Sequence, residues 1–175
     1  MRKITAIVLA GMMALSLAGC SGAASNTTTA ATEAATEAAT VAETVTEVVV
    51  DASEARRMEI VEYGKEFIGN RYVWGGIDPN KGADCSGFTM YIMREIAGIT
   101  LSHSSRAQAN EGRVISADEM RPGDLVFYGS GKRINHVAIY AGDSMIVHAS
   151  NEEDGIKTSP WNYRKPIKIV NVLGD

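Results

Sequence analysis

From residue 21 to residue 50 the chain carries no aromatic and no basic side chain, and it is built almost wholly from Ala, Thr, Ser, Val and Glu. A stretch of that composition cannot bury enough apolar surface to offset the entropy of ordering it. The foldable chain is thereby confined to residues 51–175, a length that suits one domain and leaves no room for a second core. Glu33, Glu37, Glu43 and Glu47 repel one another along this stretch, so residues 20–50 are expected to act as an extended tether. Its alanines permit transient helix, but no apolar stripe fixes one.

Ahead of the tether, Arg2 and Lys3 precede an apolar run from Ile4 to Ala18. The run is short for a membrane span and has the basic flank of a secretion signal, here residues 1–19. It ends in Leu17, Ala18, Gly19 and Cys20, which resembles the lipobox of bacterial lipoproteins. That resemblance implies that Cys20 becomes the first residue of the mature chain and is lipidated, with a second acyl chain on its amine to make the anchoring stable. The expected location is the cell envelope, on the outer face of a bacterial membrane. An ordinary signal peptide with an incidental cysteine is the alternative.

Export changes how the two cysteines are read. Oxidising compartments favour disulfides, but a bridge from Cys20 to Cys85 ties a flexible tail to a helix start for little gain. With Cys20 lipidated, Cys85 is an unpaired exported thiol, and such a thiol is a candidate for reactivity. Without Arg2 and Lys3 the chain has 15 basic against 21 acidic residues, a net charge of −6. Nucleic acid is not an expected partner.

Within residues 51–175, Asp51 and Glu54 are spaced as a helix cap, and Ile60, Val61, Gly64, Phe67 and Ile68 recur at helical spacing, with Gly69 as the stop. A second helix is predicted from Ser86 to Ala97, with Phe88, Ile92 and Ile96 on one face and Gly98 ending it. Ser105 and Gln108, three apart, predict a capping box for a short third helix. From Pro122 the texture turns to β-rich runs at 124–128, 136–141, 144–149 and 167–173. Helices first and an antiparallel sheet after is the α+β pattern, with the helices packed on a curved sheet.

Cys85 stands where a polar loop meets the second helix. Partial positive charge at a helix N-terminus favours thiolate, so the thiol is expected below its free value of about 8.5. A buried inert cysteine is the competing reading. His136 opens one predicted strand and His148 closes the next. If Tyr140 faces Ser144 across a three-residue loop of Ala141, Gly142 and Asp143, the two histidines oppose each other directly and can hydrogen-bond. A two-residue loop places them on opposite faces. In the first register His148 orients His136, as a third group orients the base in nucleophile triads. Zinc is not expected, since the paired ligand spacings of zinc sites are absent. His103, between Ser102 and Ser104, is read as surface or cleft rim.

Tyr72 to Gly76, Asp84 to Phe88, Ser105 with Gln108, Pro122 to Leu125, Asn135 to Tyr140 and Ile146 to Ala149 together resemble the ordered motifs of the NlpC family of cell-wall peptidases, over residues 55–150. The resemblance implies a papain-like fold and a peptidase without cofactor or metal. Its members cut peptidoglycan stem peptides between D-glutamate, through its γ-carboxyl, and the following diamino acid. It also implies that Cys85 attacks, that His136 is base and acid, and that His148 is the third polar member. Tyr72 is then expected beside the nucleophile near the oxyanion, and Asp84 and Ser86 are expected to hold the stem peptide or its amine. Trp74 with Tyr72 walls the cleft or serves as plain packing. Arg71 departs from the pattern, because relatives often have proline there; it either loosens the Tyr72 loop or adds positive charge to the cleft.

The expected partners are peptidoglycan stem peptides and, through the lipid, a membrane; the protein is expected to be a monomer. The same acyl-enzyme also serves an amidase, a transpeptidase or an acyl transferase. A non-catalytic module that binds wall peptide is a further reading, as is a surface scaffold. Both leave the coincidence of Cys85, His136 and His148 without a purpose.

Overall fold

The computed structural model describes residues 52–175; the cap expected at Asp51 lies outside them, as do the leader, Cys20 and the tether. The first helix, α1, spans residues 52–65. It buries Ile60 and Val61, and Phe67 is buried just beyond its end. Ile68, expected on the same face, is exposed, because the helix stops before it and a turn carries the chain away. That turn closes at Gly69, whose φ of 92° is open to glycine. The Gly69 amide donates to the carbonyl of Ile156 on the sheet at 2.8 Å.

A two-stranded hairpin, β1 (Ile77–Asp78) and β2 (Gly82–Ala83), leads into α2 (Cys85–Ile92). The predicted second helix is real, but its last turn, Met93–Ala97, is a π-helix rather than α. Gly98 ends it at φ 69°, as a left-handed C-cap requires. The short α3 (Ser105–Gln108) follows, with Ser104 as its N-cap residue. Gln108 does not close a capping box there. Its buried side-chain amide donates to the carbonyls of Ser86 at 2.9 Å and Ser102 at 2.8 Å, and accepts from the Thr89 hydroxyl at 2.7 Å. Three bonds to the first turn of α2 and the loop before α3 hold more strongly than one local cap, so Gln108 faces inward.

The remaining strands are β3 (Arg113–Val114), β4 (Leu125–Ser130), β5 (Arg133–Gly142), β6 (Met145–Asn151), β7 (Gly155–Pro160) and β8 (Lys168–Asn171). They form one antiparallel sheet in the order β3-β8-β4-β5-β6-β7. Side chains alternate between its faces. Leu125, Phe127, Val137, Ile139 and Val147 join Ile60, Phe88 and Ile92 of the helices in the main core. Val126, Tyr128, Ala138, Ile146 and Ile169 form a second cluster on the other face. Helices on one face of an antiparallel sheet make this an α+β papain-like fold, as the order of elements predicted. Of the strands, β7 had no legible signature: Ile156 is its one large apolar residue, and Pro160 ends it.

Arg57 of α1 is fully buried. Its Nη1 donates to Asp124 Oδ1 at 3.1 Å and to the Pro122 carbonyl at 2.7 Å. Its Nη2 and Nε reach the Asp175 carboxylate. The cluster joins α1, the entry to β4 and residue 175.

Candidate active site

Asp84 builds the turn that presents the sulfur. One of its oxygens, Oδ1, accepts from the Gly87 amide at 2.7 Å and from the Ser86 hydroxyl at 3.0 Å; Oδ2 accepts from the Gly75 amide at 3.1 Å. Capping satisfies amides that the helix cannot, and it places Cys85 at the first position of α2. Gly87 has no substitute here, because a Cβ would collide with the Gly76 carbonyl. The loop and the helix start therefore touch backbone to backbone.

Cys85 is a free thiol, 8% exposed. The backbone amides of Val137, Ser86 and Cys85 itself act on the sulfur in favour of the thiolate. The Val137 contact ties the helix start to β5 one residue after His136, where the paired stretch of β5 and β6 has ended at Ile139 and Val147.

The two histidines meet, though not in the expected register. Asp143 and Ser144 form a two-residue turn, with φ values of 48° and 60°, the positive angles that tight hairpins favour. That loop alone separates the histidines onto opposite faces. Ala141 makes good the difference as a β-bulge between Tyr140 and Gly142, since one extra residue restores the alternation. One step beyond the Ile139 and Val147 pair, His148 falls beside Ala138, so His136 is its diagonal neighbour rather than its direct opposite. The diagonal suffices: His136 Nε2 lies 2.7 Å from His148 Nδ1.

His148 Nε2 lies in turn 3.0 Å from the Ser159 hydroxyl. Among the described residues, His136 Nδ1 has no hydrogen-bond partner, whereas Nε2 is engaged by His148. One direction of the chain leaves Nδ1 as acceptor: His136 Nε2–H donates to His148 Nδ1, and His148 Nε2–H donates to Ser159.

The thiol opens onto a cleft of about 470 Å³, lined also by Trp74, Asp84, Ser86, His103, Arg106 and Arg133. Trp74 is 81% exposed there, so it is a wall and not packing. A second, shallower depression of about 440 Å³ is lined by Tyr72, Ser150, Asn151, Glu152 and Glu153. Tyr72 therefore faces a neighbouring hollow rather than the main cleft. The nucleophile is still close to it, because burial first and then the charges of Cys85 and Asp84 push its hydroxyl up to about 12. Arg71 stays out of the cleft, with its Nε donating to the Lys81 carbonyl at 2.9 Å; it braces the Tyr72 loop across the β1–β2 hairpin.

The profile of the NlpC/P60 family matches residues 69–170, a span that contains Cys85, His136 and His148. The chain belongs to the NlpC/P60 family. It is 36% identical over 118 residues to a probable endopeptidase of Mycobacterium bovis, covering 67% of this chain and 29% of that protein. It is 34% identical over 96 residues to the gamma-DL-glutamyl hydrolase of Bacillus subtilis, covering 54% of this chain and 23% of that one. The chain thus spans less than a third of the length of these curated relatives. Among solved structures, the NlpC/p60 domain of the peptidoglycan hydrolase SagA superposes with a TM-score of 0.61 at 35% identity. That match covers 66% of this chain and 97% of the other.

Against the NlpC/P60 pattern, the electrostatics correct one expectation. The helix start does not bring the thiol below its ordinary value. Burial pushes Cys85 up to about 11, and the surrounding amides offset only part of that. Burial likewise pushes His136 down to about 3, and burial holds His148 down to about 4. Sulfur and imidazole are each neutral at rest.

Three polar partnerships escaped the sequence reading, although His103 does line the cleft whose rim it was expected to occupy. His103 Nε2 sits 3.1 and 3.0 Å from the two oxygens of Asp84. With the two amides and the Ser86 hydroxyl, it leaves that carboxylate fully engaged, so Asp84 shapes the loop and is not free to hold an amine. Ser159 lay in the strand without a signature. Tyr163, with its ring 5.6 Å from that of His148, lay in a loop with none. Removing the Ser159 hydroxyl by Ser159→Ala frees the far end of the imidazole chain. The expected result is a fall in kcat of up to about tenfold, the worth of one lost hydrogen bond, with a stability loss of about 1–3 kcal/mol from the buried imidazole N–H left unpaired. Steady-state kinetics beside a melting curve check both halves.

Proposed function

We propose that this protein is a lipid-anchored cysteine peptidase that hydrolyses peptidoglycan stem peptides between the γ-carboxyl of D-glutamate and the diamino acid. The observations that support this reading are a helix-start sulfur on an open cleft, Asn135 on the same cleft one residue before His136, and the imidazole chain from His136 to His148 to Ser159. Membership of the NlpC/P60 family and the printed activities of its relatives, endopeptidase, gamma-DL-glutamyl hydrolase and peptidoglycan hydrolase, support the substrate and the bond.

The steps follow from the neutral resting pair. His136 Nδ1 takes the Cys85 proton as sulfur attacks the scissile carbonyl, and His148 accepts from His136 Nε2–H and steadies the imidazolium. The Cys85 backbone amide at the helix start is the natural donor to the oxyanion. The Tyr72 hydroxyl, which stays protonated at neutral pH, would serve as a second donor from the neighbouring hollow. His136 then gives its proton to the leaving amine, the C–N bond breaks, and an acyl-enzyme remains. Water activated by His136 attacks that thioester and returns the thiol. Another amine in place of water gives transpeptidase or acyl transferase chemistry from the same intermediate. Mass spectrometry of muropeptides digested by the purified protein is the test. Fragments ending in free D-glutamate support the reading; products of any other bond, or none, defeat it.

Anchoring through Cys20 rests on the sequence of the leader. Cys20→Ala is expected to move the protein from the membrane fraction to the soluble one with peptidase activity intact, as immunoblots and assays of both fractions report. Retention in the membrane contradicts lipid anchoring.

A further inference from the structure

Alternation fails on β5 just before His136. Val137 belongs to the main core and Ile134, three residues earlier, packs against the same core, which a regular strand forbids. The pairing with β4 shows the cause. Tyr128 faces His136 and Gly129 faces Ile134, so Asn135 is an extra residue in a β-bulge. A bulge bends its strand and re-aims the side chains beside it. The aim of the His136 imidazole therefore depends on how this one bulge is held.

The group that holds it comes from the loop between β7 and β8. Arg164 Nη2 donates to Asn135 Oδ1 at 3.2 Å and to the Gly129 carbonyl at 3.4 Å, one acceptor on each strand of the bulged pair. Its guanidinium stands 6.0 Å from the centre of the Tyr128 ring, within the range of a cation over an aromatic face. The loop itself is fastened to the same place. The Tyr128 hydroxyl donates to the Trp161 carbonyl at 2.6 Å, and the Tyr163 ring lies edge-on to Tyr128 at 5.1 Å and 5.6 Å from the ring of His148. Burial raises the Tyr163 hydroxyl, Arg164 opposes the rise, and the Cys85 charge adds to it. The loop is thus within electrostatic reach of the sulfur as well as in contact with the imidazole chain.

We propose that Arg164 is a positioning residue for the reaction, which clamps the Asn135 bulge to β4 and so fixes the direction in which His136 presents its imidazole. The proposal rests on the function assigned above. The charge of Arg164 works in the opposite sense. After burial and the neighbouring His148, it is the third influence that holds His136 below its ordinary value, so a role through charge alone makes Arg164 a brake on the base. Removing the side chain has opposite consequences under the two roles. A misaimed imidazole slows the reaction, whereas relief from a nearby positive charge makes His136 the stronger base.

The test is the hydrolysis of purified muropeptides by the full-length protein, with kcat and KM measured separately for the natural sequence, Arg164→Met and Arg164→Lys. Arg164→Met is expected to lower kcat by about tenfold or more, with KM changed by less than about twofold. Arg164→Lys, which keeps a charge and donors but not the planar fork, is expected to fall between the two. A kcat in Arg164→Met equal to or above that of the natural protein, or a loss confined to KM, overturns the clamp and leaves the peptidase reading standing. Where a melting curve shows that Arg164→Met does not fold, Arg164→Lys decides alone: a kcat below the natural value supports the clamp, and an equal one overturns it. No cleavage of muropeptides by the natural protein overturns the peptidase reading and this proposal with it.

Discussion

Cys85→Ala is expected to bring release of product from stem peptides down to background, a fall on the order of 10⁴-fold or more. Among the described residues, Cys85 is the only sulfur lining the cleft. His136→Ala is expected to match it nearly in full, because a thiol that burial has raised to about 11 contributes little thiolate at neutral pH without a base to take its proton. His148 acts through His136, and its loss is milder. Near-equal losses at Cys85 and His136 mark groups that act as one unit. Muropeptide digestion followed by chromatography reads both variants, and an unchanged urea midpoint shows that the fold survives.

Arg57→Met is expected to destabilise the domain by about 3–5 kcal/mol, the usual result of removing one partner from a buried ion pair. Asp124 is 1% exposed and is held by Arg57 at 3.1 Å and the Arg121 amide at 2.8 Å. Burial raises its carboxyl, and those two bonds oppose the rise. Without the guanidinium, Asp124 is left as a charge or a protonated acid in a dry site. Asp175 also loses the partner that holds its carboxyl well below the ordinary range. Urea unfolding gives the size of the change. Adding Asp124→Asn to Arg57→Met is expected to recover part of the loss, since no buried charge then lacks a partner; a double variant no more stable than the single one places the effect elsewhere.

How much of this was legible in the sequence divides along physical lines. Elements with strong periodicity or a glycine stop, such as α2 and the Gly98 that ends the π-turn after it, were readable because local pattern and tertiary packing agree. The meeting of His136 and His148 was readable in outcome but not in register. Parity along a strand follows from counting residues, whereas the bulge at Ala141 answers to how the turn fits the sheet. The ionisation state of Cys85 was misjudged because a helix start is a local feature, while the burial that outweighs it comes from β5, distant in sequence. Asp84 lines the cleft beside Cys85. Its engagement by His103, nineteen residues away, arises where the loop before α3 folds back over α2, and no spacing rule encodes that. Arg57 and Ser159 carry no sequence signal of their partners, which lie on other elements.

The most direct measurement is the rate at which iodoacetamide labels Cys85 at neutral pH, followed by intact mass, in the natural sequence and in His136→Ala. If the imidazole draws the proton from a thiol that otherwise stays neutral, labelling slows by about tenfold or more in the variant. Equal labelling rates in the two proteins mean that His136 does not activate the sulfur, and the catalytic pair is not a pair.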